Sequence, residues 1–409
     1  MFPIIFVLES FARAHCLGAA RSCTLRIFFF LVEVTAQIEE GREMGSSGCG
    51  AATKRFRPHI LMVSTQLGYT FLYIITQDAF SQGLNPHVSV TYRNVAAFFV
   101  MLPFAYFLER KTRPNLTIVL FLELFVLSLI GVSLSPNMYF ASLRYTSPTF
   151  VASMVNTIAS MTFIIAVVTR MEKLDVTSRR GAAKVVGTVA SLGGAMIMSL
   201  YKGQAIKRLW GALLSIPGTT VHEDWVKGSI LTIASCFAWA VWFVMQASTL
   251  KRYPAQLSLT TWMSFFGAAQ SAVYTAFIEQ KPQAWMIGFN INFWAIIYGG
   301  VVISGLVTFV QLWCTEKKGP VFVTMFNPLC TVLVALTAYA LLGQDLNTGS
   351  VVGGTIVIVG LYLVLWGKEE DQQANDEELL PQFDSKLPAS TKNGHMQEQN
   401  LNEEKVSKE

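Results

Sequence analysis

Apolar residues run through this chain in blocks of about twenty, the length a helix needs to cross about 30 Å of hydrocarbon. Such blocks lie near residues 60–80, 88–107, 116–141, 147–169, 181–201, 227–249, 257–278, 293–314, 321–342 and 349–367. Several joints between them carry residues that stop or start helices: Asn85 with Pro86, Arg113 with Pro114, Ser147 with Pro148, Tyr253 with Pro254, and Gly319 with Pro320. The pattern predicts an all-α membrane protein of ten transmembrane helices.

One motif is written twice within these blocks. Pro148, Phe150, Val151, Met154 and Asn156 return as Pro320, Phe322, Val323, Met325 and Asn327, with one residue fewer before the second asparagine. Gly187, Thr188 and Gly193 return as Gly354, Thr355 and Gly360 at the same spacing. Each copy would hold five spans, an odd number, so the second must enter the membrane in the opposite orientation. The expectation is an inverted repeat with a substrate site between its halves.

The organisation that follows is an N-terminal extension over 1–55, a first repeat over 56–203, a non-cytoplasmic loop over 204–226, a second repeat over 227–368 and a disordered acidic cytoplasmic tail over 369–409. The extension reads as disordered or targeting. Its arginines Arg13, Arg21 and Arg26 suit a leader, its glutamates do not, and Met44 could itself start a complete ten-span protein. The tail lacks the apolar residues needed to fold alone.

Composition agrees with the pattern. Of 409 residues, 52% are hydrophobic and 14% charged, against roughly 25% charged in soluble domains. The net charge of +5 implies no nucleic-acid partner, because the basic residues lie at span ends. Lys54, Arg55, Arg57, Arg110, Lys111, Arg113, Arg170, Lys173, Arg179, Arg180, Lys184, Lys251, Arg252, Lys317, Lys318 and Lys368 share one predicted side. That bias puts both termini in the cytoplasm. The six cysteines form no CxxC pair and the five histidines are scattered, so no metal or other cofactor is implied. The cysteines within spans read as buried reduced thiols.

Small residues at every fourth position predict close helix packing: Ala183, Gly187, Ser191 and Ala195 in the fifth span, Ser264, Ala268, Ala272 and Ala276 in the seventh, Gly349 and Gly353 in the tenth. Polar residues within spans are the candidates for function, since each costs free energy in hydrocarbon unless it meets a partner. Arg93 lies inside the second span, and Asp78 at the same end of the first is its expected ion-pair or gating partner. Glu123, two turns into the third span with no obvious basic neighbour, is the candidate for proton coupling. Gln66, Asn137, Asn156, Gln246, Gln311 and Asn327 form a set of amides able to donate and accept. Asn156 and Asn327 are expected to face each other across the pseudo-axis. Trp239 lies mid-span, where interfacial anchoring does not explain it.

The segments LRYTSPTFVASMVN (143–156), TRMEKLD (169–175), AKVVGT (183–188), KRYPAQLS (251–258), KKGPVFVTMFNPL (317–329) and GLYLVLWGK (360–368) resemble the plant drug/metabolite transporters of the EamA type, in the walls-are-thin-related, nodulin-21-like branch. The similarity runs from about Pro58 to Lys368. It implies a ten-helix carrier of small organic solutes such as amino acids or auxin-like acids, an exporter or bidirectional facilitator. It also implies the plasma membrane first and the tonoplast second. The first, third, fourth, sixth, eighth and ninth spans would line the cavity, bringing Gln66, Asn137, Asn156, Trp239, Gln311 and Asn327 to its walls. The partners are then a small-molecule solute and the bilayer, and a homo-oligomer is compatible with both. The chain departs from the branch at Ser142, where glycine is usual, and at Ala159, where proline is common, which predicts an unkinked fourth span beside a ninth that keeps Pro328.

Two other readings stay open at this point. A sugar-phosphate or nucleotide-sugar carrier needs several cations in its cavity, and Arg93 stands alone. A non-transporting receptor or scaffold is compatible with the acidic tail. An intramembrane enzyme would need paired aspartates, a serine with histidine, or HExxH, and the spans contain none of these.

Overall fold

The computed structural model describes residues 48–386, apart from 111–112, 144, 147, 173, 176, 202–204, 207–223 and 342–345. We label its helical rods in chain order. These are α1 (Gly48–Ser81), α2 (Pro86–Leu108), α3 (Ile118–Ser142), α4 (Pro148–Val155 and Thr157–Val168), α5 (Arg179–Leu200), α6 (Trp225–Arg252), α7 (Gln256–Ile278), α8 (Ile291–Lys318), α9 (Pro320–Met325 and Asn327–Leu341) and α10 (Thr348–Lys386). A two-residue antiparallel pairing joins Ala205–Ile206 to Leu346–Asn347. Each apolar block of the sequence falls on one rod.

Among the described residues, seven rods are long and apolar enough to cross a membrane: α2, α3, α4, α6, α8, α9 and α10. The others, α1, α5 and α7, have 34, 22 and 23 residues and are not among those seven. Phe99, Phe107, Ile118, Val119, Ile164, Val168, Val189, Val273 and Phe277 all point outward. Water would not tolerate that much exposed apolar surface, and lipid requires it. The protein is a multi-pass membrane protein.

Close packing is tightest between α5 and α10. A Cβ at Gly187 would stand 2.7 Å from the Gly360 carbonyl oxygen, and one at Gly360 would stand 2.5 Å from the Ser191 nitrogen. The predicted stripe on α5 is therefore a helix contact. On α7 the predicted stripe runs from buried Ser264 to exposed Ala276. The face of α7 turned to α2 and α3 carries Gly267, Ser271 and Thr275 instead. Ser271 reaches Ser133 at 3.3 Å and Thr275 reaches Thr91 at 3.2 Å. Hydroxyls need partners inside the bundle and alanines do not, which sets the rotation of the helix.

Two rods contain a stretch of wider, i→i+5 winding: Leu129–Leu134 in α3 and Tyr298–Val307 in α8. Both are followed by a hydroxyl residue that donates to the carbonyl five positions back, Ser135 to Ile130 at 2.6 Å and Thr308 to Ile303 at 3.1 Å. Such winding leaves carbonyls short of donors and is frequent at functional sites.

The fourth rod breaks although its proline is missing. Its two segments meet at Asn156, as those of α9 meet at Phe326. Asn156 Nδ2 donates to the Ala152 carbonyl at 3.1 Å and Thr157 Oγ1 to the Met154 carbonyl at 2.6 Å. Side chains that capture backbone carbonyls open a helix as proline does. Asn156 itself keeps right-handed helical torsion angles, so the interruption is a single residue within one rod.

The acidic segment also differs from expectation. Helix α10 continues through residues 369–386, because glutamate, glutamine and lysine extend a helix already nucleated by its apolar part. Residues 387–409 and 1–47 lie outside the described residues.

Candidate functional site

The elements α1, α2, α3, α6, α8 and α9 bring one group of polar and aromatic side chains together inside the bundle. On α1, Gln66, Tyr69, Thr70 and Tyr73 follow helical spacing and so share a face. Gln311 of α8 and Arg93 of α2 lie within electrostatic reach of the Tyr69 hydroxyl. Thr70 Oγ1 is 3.9 Å from Cys330 Sγ on α9. Tyr139 of α3 lies within electrostatic reach of Tyr73, Cys236 and Cys330, and its ring centroid is 6.0 Å from that of Trp239 on α6. Tyr69, Arg93 and Tyr139 are each partly exposed.

Cys236, Cys314 and Cys330 are free thiols. Cys16, Cys23 and the side chain of Cys49 lie outside the described residues.

Of the residues singled out from sequence, Gln66, Trp239 and Gln311 stand in or beside this group. Gln66 is buried with no partner for its Nε2. Asn137 is buried and committed: its Oδ1 is 2.7 Å from His87 Nδ1, and its Nδ2 donates to the Ser133 carbonyl at 2.7 Å. Asn156 is committed as well, since Thr331 Oγ1 donates to its Oδ1 at 3.0 Å, tying α4 to α9. That contact falls one helical turn beyond Asn327. The Asn327 side chain is partly exposed and makes no hydrogen bond with a described residue. Gln246 sits apart, its Nε2 3.8 Å from Met263 Sδ.

Two charged expectations are corrected. No ion pair joins Asp78 and Arg93. Asp78 Oδ1 instead accepts from Gln82 Nε2 at 3.3 Å. The stem of Arg93 lies over Gly299, where a Cβ would stand 2.8 Å from Arg93 Cδ. The missing side chain draws the arginine toward α8 and Tyr69 and away from Asp78. Glu123 does have a basic neighbour: Arg252 Nη1 is 3.2 Å from its Oε2, and Thr249 Oγ1 donates to its Oε1 at 2.7 Å. Both partners come from the last turn of α6, which block-by-block reading could not set against α3.

Sequence reading missed Tyr69, Tyr73, Tyr139, Cys236 and Cys330. A signal existed for the first two, because with Gln66 and Thr70 they make a polar and aromatic stripe on an otherwise apolar span. The rest converge only in three dimensions.

The end of the bundle rich in lysine and arginine is closed by carboxylates. Glu109, just after α2, accepts from the backbone nitrogens of Leu257 and Ser258 at 2.8 and 2.7 Å, capping α7. Gln256 Nε2 donates to Glu316 at the end of α8. Glu172, between α4 and α5, holds Lys184 of α5 at 2.9 Å and Lys368 of α10 at 2.5 Å, and all three side chains are buried. Burial pushes the Glu172 carboxyl up. The charges of Lys368 and Lys184 and their hydrogen bonds outweigh that and hold it below the usual carboxylate range.

The EamA-like transporter family matches residues 57–200 and again 226–366. The chain belongs to that family. A WAT1-related protein of Arabidopsis thaliana is 39% identical over 345 residues, covering 83% of this chain and 91% of its own length. Protein WALLS ARE THIN 1 of the same plant is 37% identical over 331 residues, covering 78% and 85%. A solved crystal structure superposes with a TM-score of 0.59 at 15% identity, covering 75% of this chain and 98% of its own, a likeness of fold. The double EamA match falls on the two copies of the written motif. Membership points to a membrane transporter with a small-molecule solute rather than to an enzyme.

Proposed function

We propose that this EamA-family protein carries small organic solutes, such as amino acids or auxin-like acids, across the membrane by alternating access, as an exporter or bidirectional facilitator. In this reading the chain crosses the membrane ten times as two inverted repeats. Both termini are cytoplasmic, and the plasma membrane is the first location to test, the tonoplast the second. The observation that carries the reading is the enclosed group of polar and aromatic side chains that six rods from both family matches build inside an apolar bundle.

Polar groups are costly in hydrocarbon, and a bundle that assembles them around accessible surface has a ligand to hold. Gln66, whose Nε2 is buried without a partner, and Asn327, which makes no hydrogen bond with a described residue, have hydrogen-bonding capacity to spare and are assigned to the solute. The carboxylate contacts of Glu109, Glu172 and Glu316 are assigned to sealing the basic end. A phosphate-bearing solute is disfavoured because Arg93 is the one cation in the group.

The test is efflux of labelled amino acids and aromatic acids from vesicles containing the full chain. Asn327→Ala is expected to slow efflux about three- to tenfold, the value of one hydrogen bond. Correct insertion with no solute-dependent flux for any compound would support a receptor or scaffold instead.

A further inference from the structure

We infer that α2, α3, α6 and α7 enclose a site for ordered water, bounded by Asn94, Trp242 and Gln246. The inference goes beyond the carrier reading and stands apart from it, because α7 contributes nothing to the group assigned to the solute.

A seam of polar side chains runs between these four rods. Toward the start of α2, Thr91 meets Thr275 at 3.2 Å and Ser271 reaches Ser133 at 3.3 Å. Toward the other end of the bundle, Thr249 donates to Glu123 at 2.7 Å. Each of these hydroxyls has a partner, and between the two groups the pairing stops. Asn94 Nδ2 and Oδ1, Trp242 Nε1 and Gln246 Oε1 are sealed from solvent with no hydrogen-bond partner among the described residues. The three side chains are 1%, 7% and 0% exposed.

Helical spacing and close packing put the three in one layer. Asn94 is one turn from Thr91, and Gln246 is one turn from both Thr249 and Trp242. Gly267 of α7 stands against α3 and α2 together: a Cβ there would lie 2.3 Å from Val132 Cγ1 and 3.5 Å from Asn94 Nδ2. One turn earlier on α7, Met263 Sδ is 3.8 Å from Gln246 Nε2. Trp242 lies over Gly131, beside Val132, where a Cβ would stand 2.1 Å from the indole Cδ1. Ser235, on the same face of α6, donates to the Ser135 carbonyl of α3 at 2.8 Å. The orphaned groups therefore flank the wide winding Leu129–Leu134 of α3.

The balance of donors and acceptors selects the ligand. Trp242 Nε1 and Asn94 Nδ2 have hydrogens to give, while Asn94 Oδ1 and Gln246 Oε1 have lone pairs to fill. A cation would serve the oxygens and confront the N–H groups, and an anion would do the reverse. Water serves both, and a buried water typically makes about 3 such bonds. Buried polar groups are costly to leave unmade, so the site favours being filled.

The test is hydroxyl-radical labelling of the full chain in detergent, read by mass spectrometry. In one arm an X-ray pulse makes radicals from every water present, bound water included. In the other, photolysis of peroxide makes them in bulk solvent. The X-ray arm is expected to oxidise Met263 severalfold faster than Met62 and Met101, which are as deeply buried in the apolar core. The peroxide arm should leave all three equally slow. Asn94→Leu should slow X-ray oxidation of Met263 and Trp242 severalfold and lower the midpoint of thermal unfolding.

A Met263 rate no higher than that of Met62 and Met101 under X-rays would mean a dry seam and overturn the inference. Fast oxidation of Met263 in both arms would mean a path open to bulk solvent and overturn it equally. So would a raised midpoint in Asn94→Leu, the mark of a dry amide relieved. The wild-type comparison decides the matter even if the leucine variant fails to fold.

Discussion

Glu172 gathers two lysines from rods far apart in the chain, Lys184 and Lys368, into one buried cluster. Removing the shared carboxylate takes away an anion that both buried lysines hold, so Glu172→Gln should lower stability near neutral pH. A carboxylate held below its ordinary range stabilises the fold above that range and loses the contribution as pH falls through its folded value. Thermal unfolding of the wild type should therefore show acid lability below the usual carboxylate range. The glutamine variant should start lower and lose much of that dependence, and an unchanged slope would show that Glu172 is not its source. The Asn156–Thr331 contact is a smaller matter. A double-mutant cycle with Asn156→Ala and Thr331→Val should return about 0.6 kcal/mol, the average for such bonds in membranes.

At the scale of the elements, the contact of α5 with α10 depends on bare backbone. Gly187→Leu has nowhere to go, with the Gly360 carbonyl 2.7 Å from its Cβ and Val364 Cγ2 at 2.8 Å. It should abolish the monodisperse fraction after detergent extraction. Gly193→Ala meets nothing within 4 Å and should extract like the wild type. The end of α2 and the start of α7 are coupled through Glu109, and Glu109→Ala should destabilise by about 0.5–2 kcal/mol as a lost helix cap, read as a lower unfolding midpoint. Rod positions were legible in advance, because block length and turn residues depend on local sequence. The break at Asn156 was not, since reading the proline alone ignored the carbonyl-seeking side chains of Asn156 and Thr157.

For the whole molecule, the pairing of Glu123 with Arg252 and Thr249 argues for a fastening between α3 and α6 over a proton site. Glu123→Gln should leave the pH profile of efflux unchanged while lowering stability, and a flattened profile would restore the proton-coupling reading. The sequence alone determined the helical class, the positions of the rods, the duplication and the family resemblance. All four follow from hydrophobic periodicity and motif spacing, which are written along the chain. It also named Arg93, Gln66, Gln311 and Trp239. What the tertiary structure decided was partnership. The Arg93 stem lies over Gly299 rather than beside Asp78, α6 brings Arg252 to Glu123, and Tyr139 of α3 comes beside Trp239 of α6. Those pairings depend on the rotation and depth at which helices settle against one another. Rotation and depth are set by backbone-to-backbone approach at glycines and by hydroxyls that must find acceptors, and neither is visible in any single span.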